Sequence, residues 1–266
     1  MAINFGENPI QDAKVGETQV EKIYLGEEEV WSSTPPVPPV INALKFETAG
    51  SNHLTIGLLG SLSPVFEYSN DGETWNSYTI NTQLAFGDGT PLYIRGTNTK
   101  LVDRSSVRIY FSFDAYTTDT NLVDCTGNVM HLYDYTQDLT NFPSGSGHGL
   151  QLLFANNTSL RTPPSLPALD LTNAPMCYNG TFKNCTHLNA ITLLPATTIS
   201  LTCYADMFNG CSLIKMSETE TDEYVNPYIF GGNFGQSAAD MFANTGGTFT
   251  GTPTYKTYYT SNRIIS

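Results

Sequence analysis

The sequence predicts a mostly β protein with short helices, made of an amino-terminal β-hairpin, a small β-sandwich and a carboxy-terminal repeat domain. Short apolar runs alternate with polar residues and are separated by Gly, Asn, Asp and Pro, which is typical of strands and turns. One aromatic motif recurs along the second half of the chain, which indicates repeats. The boundaries that these patterns predict are 1–33, a linker at 34–40, 41–113 and 114–266.

The hairpin is predicted from the stretches "TQVEKIYLG" and "EEEVWSS", which Gly26 and acidic residues separate. Two strands alone are only marginally stable in water, so this hairpin needs a partner surface. We expect its apolar and aromatic positions to be the contact residues: Val20, Ile23, Tyr24, Leu25, Val30 and Trp31.

The linker lies in "STPPVPPV", whose four prolines favour an extended polyproline II conformation. Such a segment is a semi-rigid spacer. A flexible tether would be richer in Gly and Ser.

Residues 41–113 contain regularly spaced short strands, including "NALKFETA", "LYIRG" and "SVRIYFSF", which predict the sandwich. Within "YSNDGETWNSY", the Asp71-Gly72 pair predicts a hairpin turn. The same letters are similar to the Asp-box of sialidase-like propellers with one residue missing, and we interpret them as a structural turn.

The repeat is read by comparing "CYNGTFKNCTHL", "CYADMFNGCSLI" and "SAADMFANTGGTF", with "LLFANNTSL" as a shorter copy. These copies align Phe154, Phe182, Phe208 and Phe242. Tyr178 and Phe182 are four residues apart, which predicts one face of a short helix. The segments "LPALDL" and "LPATTI" predict a short strand in each unit. Stacked units of this kind would form one continuous core.

The Leu-Pro-Ala segments, followed by Cys-Tyr-x-x-Met-Phe and Phe-x-x-Cys-[Thr/Ser]-x-Leu, resemble the BspA-type leucine-rich repeats of gut-bacterial surface proteins and their phages. The resemblance covers about residues 150–260 and implies a curved solenoid with a binding role. The copy at Ser237 lacks the Cys-Tyr pair, which suggests a terminal cap. "KIYLGEEEVW" resembles a hairpin at the start of phage structural proteins.

These resemblances imply a virion component, a head fibre or capsid decoration, which contacts other virion proteins through its amino-terminal segment. Such a protein would present the solenoid to a host or mucosal glycan or protein, and fibres favour a homotrimer. We expect synthesis in the host cytoplasm without a signal peptide. The alternatives are a tail-associated receptor-binding protein and a bacterial surface adhesin.

The composition argues against several other functions. The net charge of −13, without a basic cluster, argues against nucleic acid, and no apolar run is long enough to insert in a membrane. Five cysteines make a poor disulfide framework, so we expect buried free thiols. No motif indicates an enzyme, a metal or another cofactor. A carbohydrate-active enzyme would need two carboxylates in one cleft.

Two groups of residues leave alternatives open. The acidic series could bind calcium weakly: Asp114, Asp119, Asp124, Asp134 and Asp138. Aromatic residues that crowd the last segment either fill the core or form a ligand face: Tyr224, Tyr228, Phe230, Tyr255, Tyr258 and Tyr259.

Overall fold

A computed structural model describes residues 41–192, 194–196, 198–214 and 238–246, together with the backbone of four short strands between residues 14 and 32. The predicted linker lies outside the described residues. The chain divides into two compact units, Met1–Ile41 and Asn42–Ser266.

The described backbone of the first unit consists of two antiparallel pairs. Strand β1 (Lys14–Val15) pairs with β2 (Thr18–Gln19), and β3 (Lys22–Leu25) pairs with β4 (Glu28–Ser32). The β3–β4 pair spans the two stretches from which the hairpin is predicted.

The second unit contains two antiparallel-rich sheets, so the protein is mostly β. Its strands are β5 (Leu44–Glu47), β6 (Ser51–Leu59), β7 (Phe66–Ser69), β8 (Asn76–Ser77), β9 (Gln83–Gly87), β10 (Leu92–Gly96), β11 (Val102–Arg104), β12 (Val107–Phe113), β13 (Val123–Thr126) and β14 (Leu160–Thr162). The six-stranded sheet has the order β14-β13-β5-β10-β7-β8, and the four-stranded sheet has the order β11-β12-β6-β9. Two 3₁₀ helices, Asp119–Asn121 and Val129–Leu132, complete the described regular elements.

The two sheets share one core because alternate side chains of β5, β10 and β12 are buried between them. Phe46 of β5 packs against Phe113 and Phe111 of β12, with ring centroids 5.4 Å and 5.9 Å apart. Phe111 in turn contacts Phe154 at 5.2 Å. The sheet core is therefore continuous with the repeat segment.

The predicted Asp-Gly turn joins β7 to β8, which pair antiparallel. Asp71 Oδ1 accepts hydrogen bonds from the backbone N–H groups of Glu73 and Thr74 at 2.8 Å and 2.7 Å. Gly72 has a φ of +79°, which its missing side chain permits. These bonds, led by the one from Thr74, hold the pKa of Asp71 well below its usual range.

The repeat copies form four stacked segments, which we call rungs: rung 1 (150–157), rung 2 (176–185), rung 3 (201–211) and rung 4 (238–244). The aligned phenylalanines stack on one another with centroids 5.6 Å apart at each of the three steps and with interplanar angles of 7–9°. Tyr178 and Tyr204 form a parallel column at 5.8 Å.

The predicted short helices in these copies are wrong, because the rungs are chains of tight turns. Every fourth residue of rung 2 has a positive φ, which a right-handed helix cannot contain: Met176, Gly180 and Asn184. Alternate N–H groups close four-residue turns within the rung, as Thr181 does onto the Tyr178 carbonyl at 3.2 Å. The intervening N–H groups donate to the next rung, as Phe182 does to Met207 at 3.0 Å.

The predicted strands at the Leu-Pro-Ala segments are also absent from the described residues. Isolated parallel bridges occur there, between Asn141 and Asp170 and between Asp170 and Thr198. Pro167 and Pro195 have no N–H to donate, which prevents a continuous ladder. Leu166 and Leu194 are nevertheless buried in the core.

No helix in the described part of the chain is long and apolar enough to cross a membrane.

Candidate functional site

Several residues predicted to contact a partner or ligand lie outside the described residues: Val20, Tyr224, Tyr228, Phe230, Tyr255, Tyr258 and Tyr259. Ile23, Tyr24 and Leu25 lie on β3, and Val30 and Trp31 lie on β4, where only the backbone is described. The hairpin register pairs Ile23 with Trp31. The roles assigned to all these residues stay predictions.

The five aspartates of the acidic series do not form one cluster. Each carboxylate contacts a different side chain. The contacts are Asp114 with His53 Nδ1 (2.7 Å), Asp119 with the Tyr116 hydroxyl (2.9 Å), Asp124 with Arg161 Nε (2.8 Å), Asp134 with the Thr136 hydroxyl (2.6 Å) and Asp138 with His131 Nε2 (2.9 Å). Within the described residues, no group of three or more His, Cys, Asp or Glu side chains could hold a metal ion.

The five cysteines are buried and free, as predicted. Cys185 Sγ donates to the Phe154 carbonyl at 3.1 Å, and Cys211 Sγ donates to the Phe182 carbonyl at 3.0 Å. Burial raises the pKa of Cys211 to about 12. Cys185 and Cys211 therefore stay protonated and serve the stacking of the rungs, since a metal ligand or nucleophile must be a thiolate. The hydrogen bond with Cys177 instead lowers the pKa of Cys203.

The outer face of the four-stranded sheet carries the most distinctive group of side chains. Ile109, Phe111 and Phe113 of β12 point into the core, so the intervening residues of that strand point outward. The register places Arg108 opposite Leu59, Tyr110 opposite Gly57 and Ser112 opposite Thr55 on β6. We call these six residues the outer face.

Tyr110 occupies the space above Gly57. A Cβ on Gly57 would overlap the ring and hydroxyl atoms of Tyr110, so the glycine lets the ring lie across the neighbouring strand. This arrangement sets a half-buried aromatic ring against the sheet, where an aromatic residue combines apolar area with a polar tip.

Arg108 has no carboxylate partner among the described residues. Its Nη1 donates to the Ser105 carbonyl, while its Nε is buried without a hydrogen-bond partner. Burial lowers the pKa of Arg108, but a guanidinium remains charged at neutral pH. Arg95, by contrast, is paired with Glu67 at 2.7 Å.

Rung 1 lies beside the outer face, and the two together line a cleft of about 300 Å³, which we call the Arg108 cleft. Leu152, Ala155, Asn156 and Asn157 form its second wall. Asn157 is buried and its amide hydrogen-bonds the backbone of β12, which fixes the rung against the strand. The Oδ1 of Asn156, an exposed residue, accepts a hydrogen bond from the Asn184 amide at 2.9 Å.

A second hollow of about 470 Å³ lies further along the same strands. Its lining is rich in hydroxyl groups: Ser51, Asp114, Ala115, Thr117, Thr118, Thr120 and Asn121. Asp114 is the one carboxylate in this lining, and the lining of the Arg108 cleft contains none. Neither of these two hollows brings together the carboxylate pair that a glycosidase needs.

Comparison with protein-family models, curated proteins and solved structures finds no match for this chain.

Sequence reasoning did not find the Arg108 cleft. "SVRIYFSF" predicts a strand, and its alternation indicates that Arg108, Tyr110 and Ser112 share one face. The residues of the second wall lie more than forty positions after Arg108 in the sequence, and no local sequence pattern predicts that they contact β12.

Proposed function

We propose that this protein is a structural component of a bacteriophage virion, a head fibre or capsid decoration. Its amino-terminal unit anchors it to other virion proteins, and its body presents a binding surface to the host or to mucosa. The protein acts by binding and carries out no catalysis.

The division of the chain into two units is the observation that carries the proposal. The described strands of the first unit are two to five residues long and are paired only in twos. A two-stranded ribbon of this size is marginally stable and retains unpaired backbone edges. Strand addition to a neighbouring virion subunit would satisfy those edges and supply much of the affinity.

The body fits the display role for a different reason. Its large core runs from the sheets into the rungs, so it has the means to fold without the first unit. The parallel columns of Phe and Tyr and the hydrogen bonds between rungs support a solenoid related to BspA-type repeats. Such arrays offer extended surfaces for binding.

Removing residues 1–33 tests the anchoring role. We expect the truncated protein to be soluble and folded but absent from purified phage particles, which quantitative mass spectrometry of the particles would measure. The substitution Trp31→Asp in β4 should weaken incorporation in the same direction, because it places a charge in the predicted contact.

The control is Leu201→Asp, since Leu201 is 56% exposed on the body and a charge there should leave incorporation unchanged. Normal incorporation of the truncated protein would refute the anchoring role. Locating the full-length protein on the same particles shows whether it lies on the head or the tail. Light scattering of the purified protein tests for the homotrimer that we propose.

A further inference from the structure

The charge balance makes Arg108 unusual in this protein. In a chain with a net charge of −13, acidic groups are available to neutralise most cations. Lys45, Lys100 and Lys183 are paired with Glu47, Asp103 and Asp206 at 2.7 Å, 2.7 Å and 3.1 Å. Arg108 is more buried than an ordinary surface arginine yet has only a backbone carbonyl as acceptor.

A partly desolvated guanidinium that has no counter-charge attracts an anion. Hydrogen bonds to charged groups are stronger than those between neutral groups, and Arg presents a planar fork that matches a carboxylate. Because no acidic side chain lines the Arg108 cleft, a carboxylate there would meet no competing negative charge.

The rest of the Arg108 cleft suits a sugar ring better than a bare ion. The Tyr110 ring and the side chains of Leu59 and Leu152 offer apolar area, against which the C–H face of a pyranose can pack. Ser112 and Asn156 also line the Arg108 cleft, and their hydroxyl and amide groups can form hydrogen bonds with sugar hydroxyls. About 300 Å³ is at the lower end of the range for small-ligand sites, which fits one sugar residue.

We propose that the Arg108 cleft binds an acidic sugar residue of a surface glycan, with the sugar carboxylate on Arg108 and the ring against Tyr110. The inference rests on the proposed function, because it names the ligand class that the body presents to a surface. The two can fail separately, since binding is measured on the purified protein and anchoring is measured on particles.

The experiment titrates the purified full-length protein with three probes through the millimolar range, followed by protein-observed NMR. The probes are methyl β-glucuronide, its neutral counterpart methyl β-glucoside, and inorganic phosphate. We expect saturable binding of the glucuronide, with the glucoside and phosphate each weaker by about tenfold or more, the size of one lost charge-assisted hydrogen bond.

Two substitutions separate the charge from the ring. Arg108→Gln should weaken glucuronide binding by about tenfold or more and remove the preference over the glucoside. Gly57→Ala should weaken both sugars, because the new methyl group displaces the Tyr110 ring while alanine suits the strand at least as well as glycine. Arg104→Gln is the matched control: Arg104 is an exposed arginine on the adjacent strand β11, and its loss should leave binding unchanged.

Folding of each variant is checked by its thermal unfolding curve, and Arg108→Lys provides a second test that keeps the charge. The lysine variant should retain a preference for the glucuronide but bind it more weakly, since it lacks the planar fork. Any one of the following results would overturn the inference: no saturable binding of the glucuronide, equal affinity for glucuronide and glucoside, or glucuronide binding that Arg108→Gln leaves intact. Phosphate binding as tight as the glucuronide, unaffected by Gly57→Ala, would also overturn it and indicate a simple anion site.

Discussion

Replacing Phe182 with alanine should lower the free energy of unfolding of the body by about 4 kcal/mol. Phe182 is fully buried, and its ring stacks at 5.6 Å on both Phe154 and Phe208. Truncating a buried phenylalanine costs about 3–5 kcal/mol when the cavity cannot collapse. Two ring–ring contacts, each contributing about 0.5–1.5 kcal/mol, are lost together, which favours the middle to upper part of that range.

Urea and thermal unfolding followed by circular dichroism would measure this change. For a body of this size, about 4 kcal/mol corresponds to a fall of roughly 8–16 °C in Tm. Leu201→Ala is the control, since Leu201 is 56% exposed and its truncation should stay within about 0.5 kcal/mol. A loss below about 1.5 kcal/mol for Phe182→Ala would mean that the column of rings is not a packed core, and the stacked-rung description would be wrong.

Three further predictions address the turns and the thiols. Gly87 and Gly89 both have positive φ, so Gly89→Ala should lower the free energy of unfolding by about 1 kcal/mol. Gly87→Ala should lower it by about 3 kcal/mol, because the new Cβ would also overlap the Gly50 carbonyl. Equal losses in urea unfolding would contradict this prediction. The depressed pKa of Asp71 stabilises the folded protein above the unfolded value of about 3.9, and this contribution disappears as pH falls through the folded pKa. The Tm difference between the parent protein and Asp71→Asn should therefore be constant from pH 7 to about pH 5 and shrink below about pH 4, and a difference that stays constant down to pH 2 would count against it. The five cysteines should react with a thiol reagent only after urea unfolding, since all are buried away from the reagent; fast labelling of the native protein would disprove this.

The turn at Asp71-Gly72 was predictable because its determinants are local. The glycine permits the positive φ, and the aspartate carboxylate accepts the backbone N–H groups two and three residues later. A reader of the sequence needs only these neighbouring letters to place the hairpin between β7 and β8.

The repeats were predictable in their alignment but not in their local conformation. A turn unit that recurs every four residues puts Tyr178 and Phe182 in equivalent positions, and one turn of a helix would do nearly the same. The spacing therefore cannot distinguish the two structures. Hydrogen bonds between rungs decide between the two structures. Every second N–H in a rung donates to a carbonyl of the next rung, so it is not available for a hydrogen bond within a helix.

The Arg108 cleft was not predictable, because it depends on which parts of the chain meet. Alternation along β12 puts Arg108 and Tyr110 on one face, but Asn156 lies beside that face because Asn157 is hydrogen-bonded to the backbone of β12. The missing counter-charge beside Arg108 is likewise a property of the packed surface.

Electron cryomicroscopy of intact phage particles, at a resolution that traces the backbone, tests the central claim most directly. The account predicts that β3 or β4 pairs with a strand of a neighbouring virion protein, while the body projects from the particle surface. Amino-terminal strands that contact no other subunit, or particles from which the protein is missing, would contradict it.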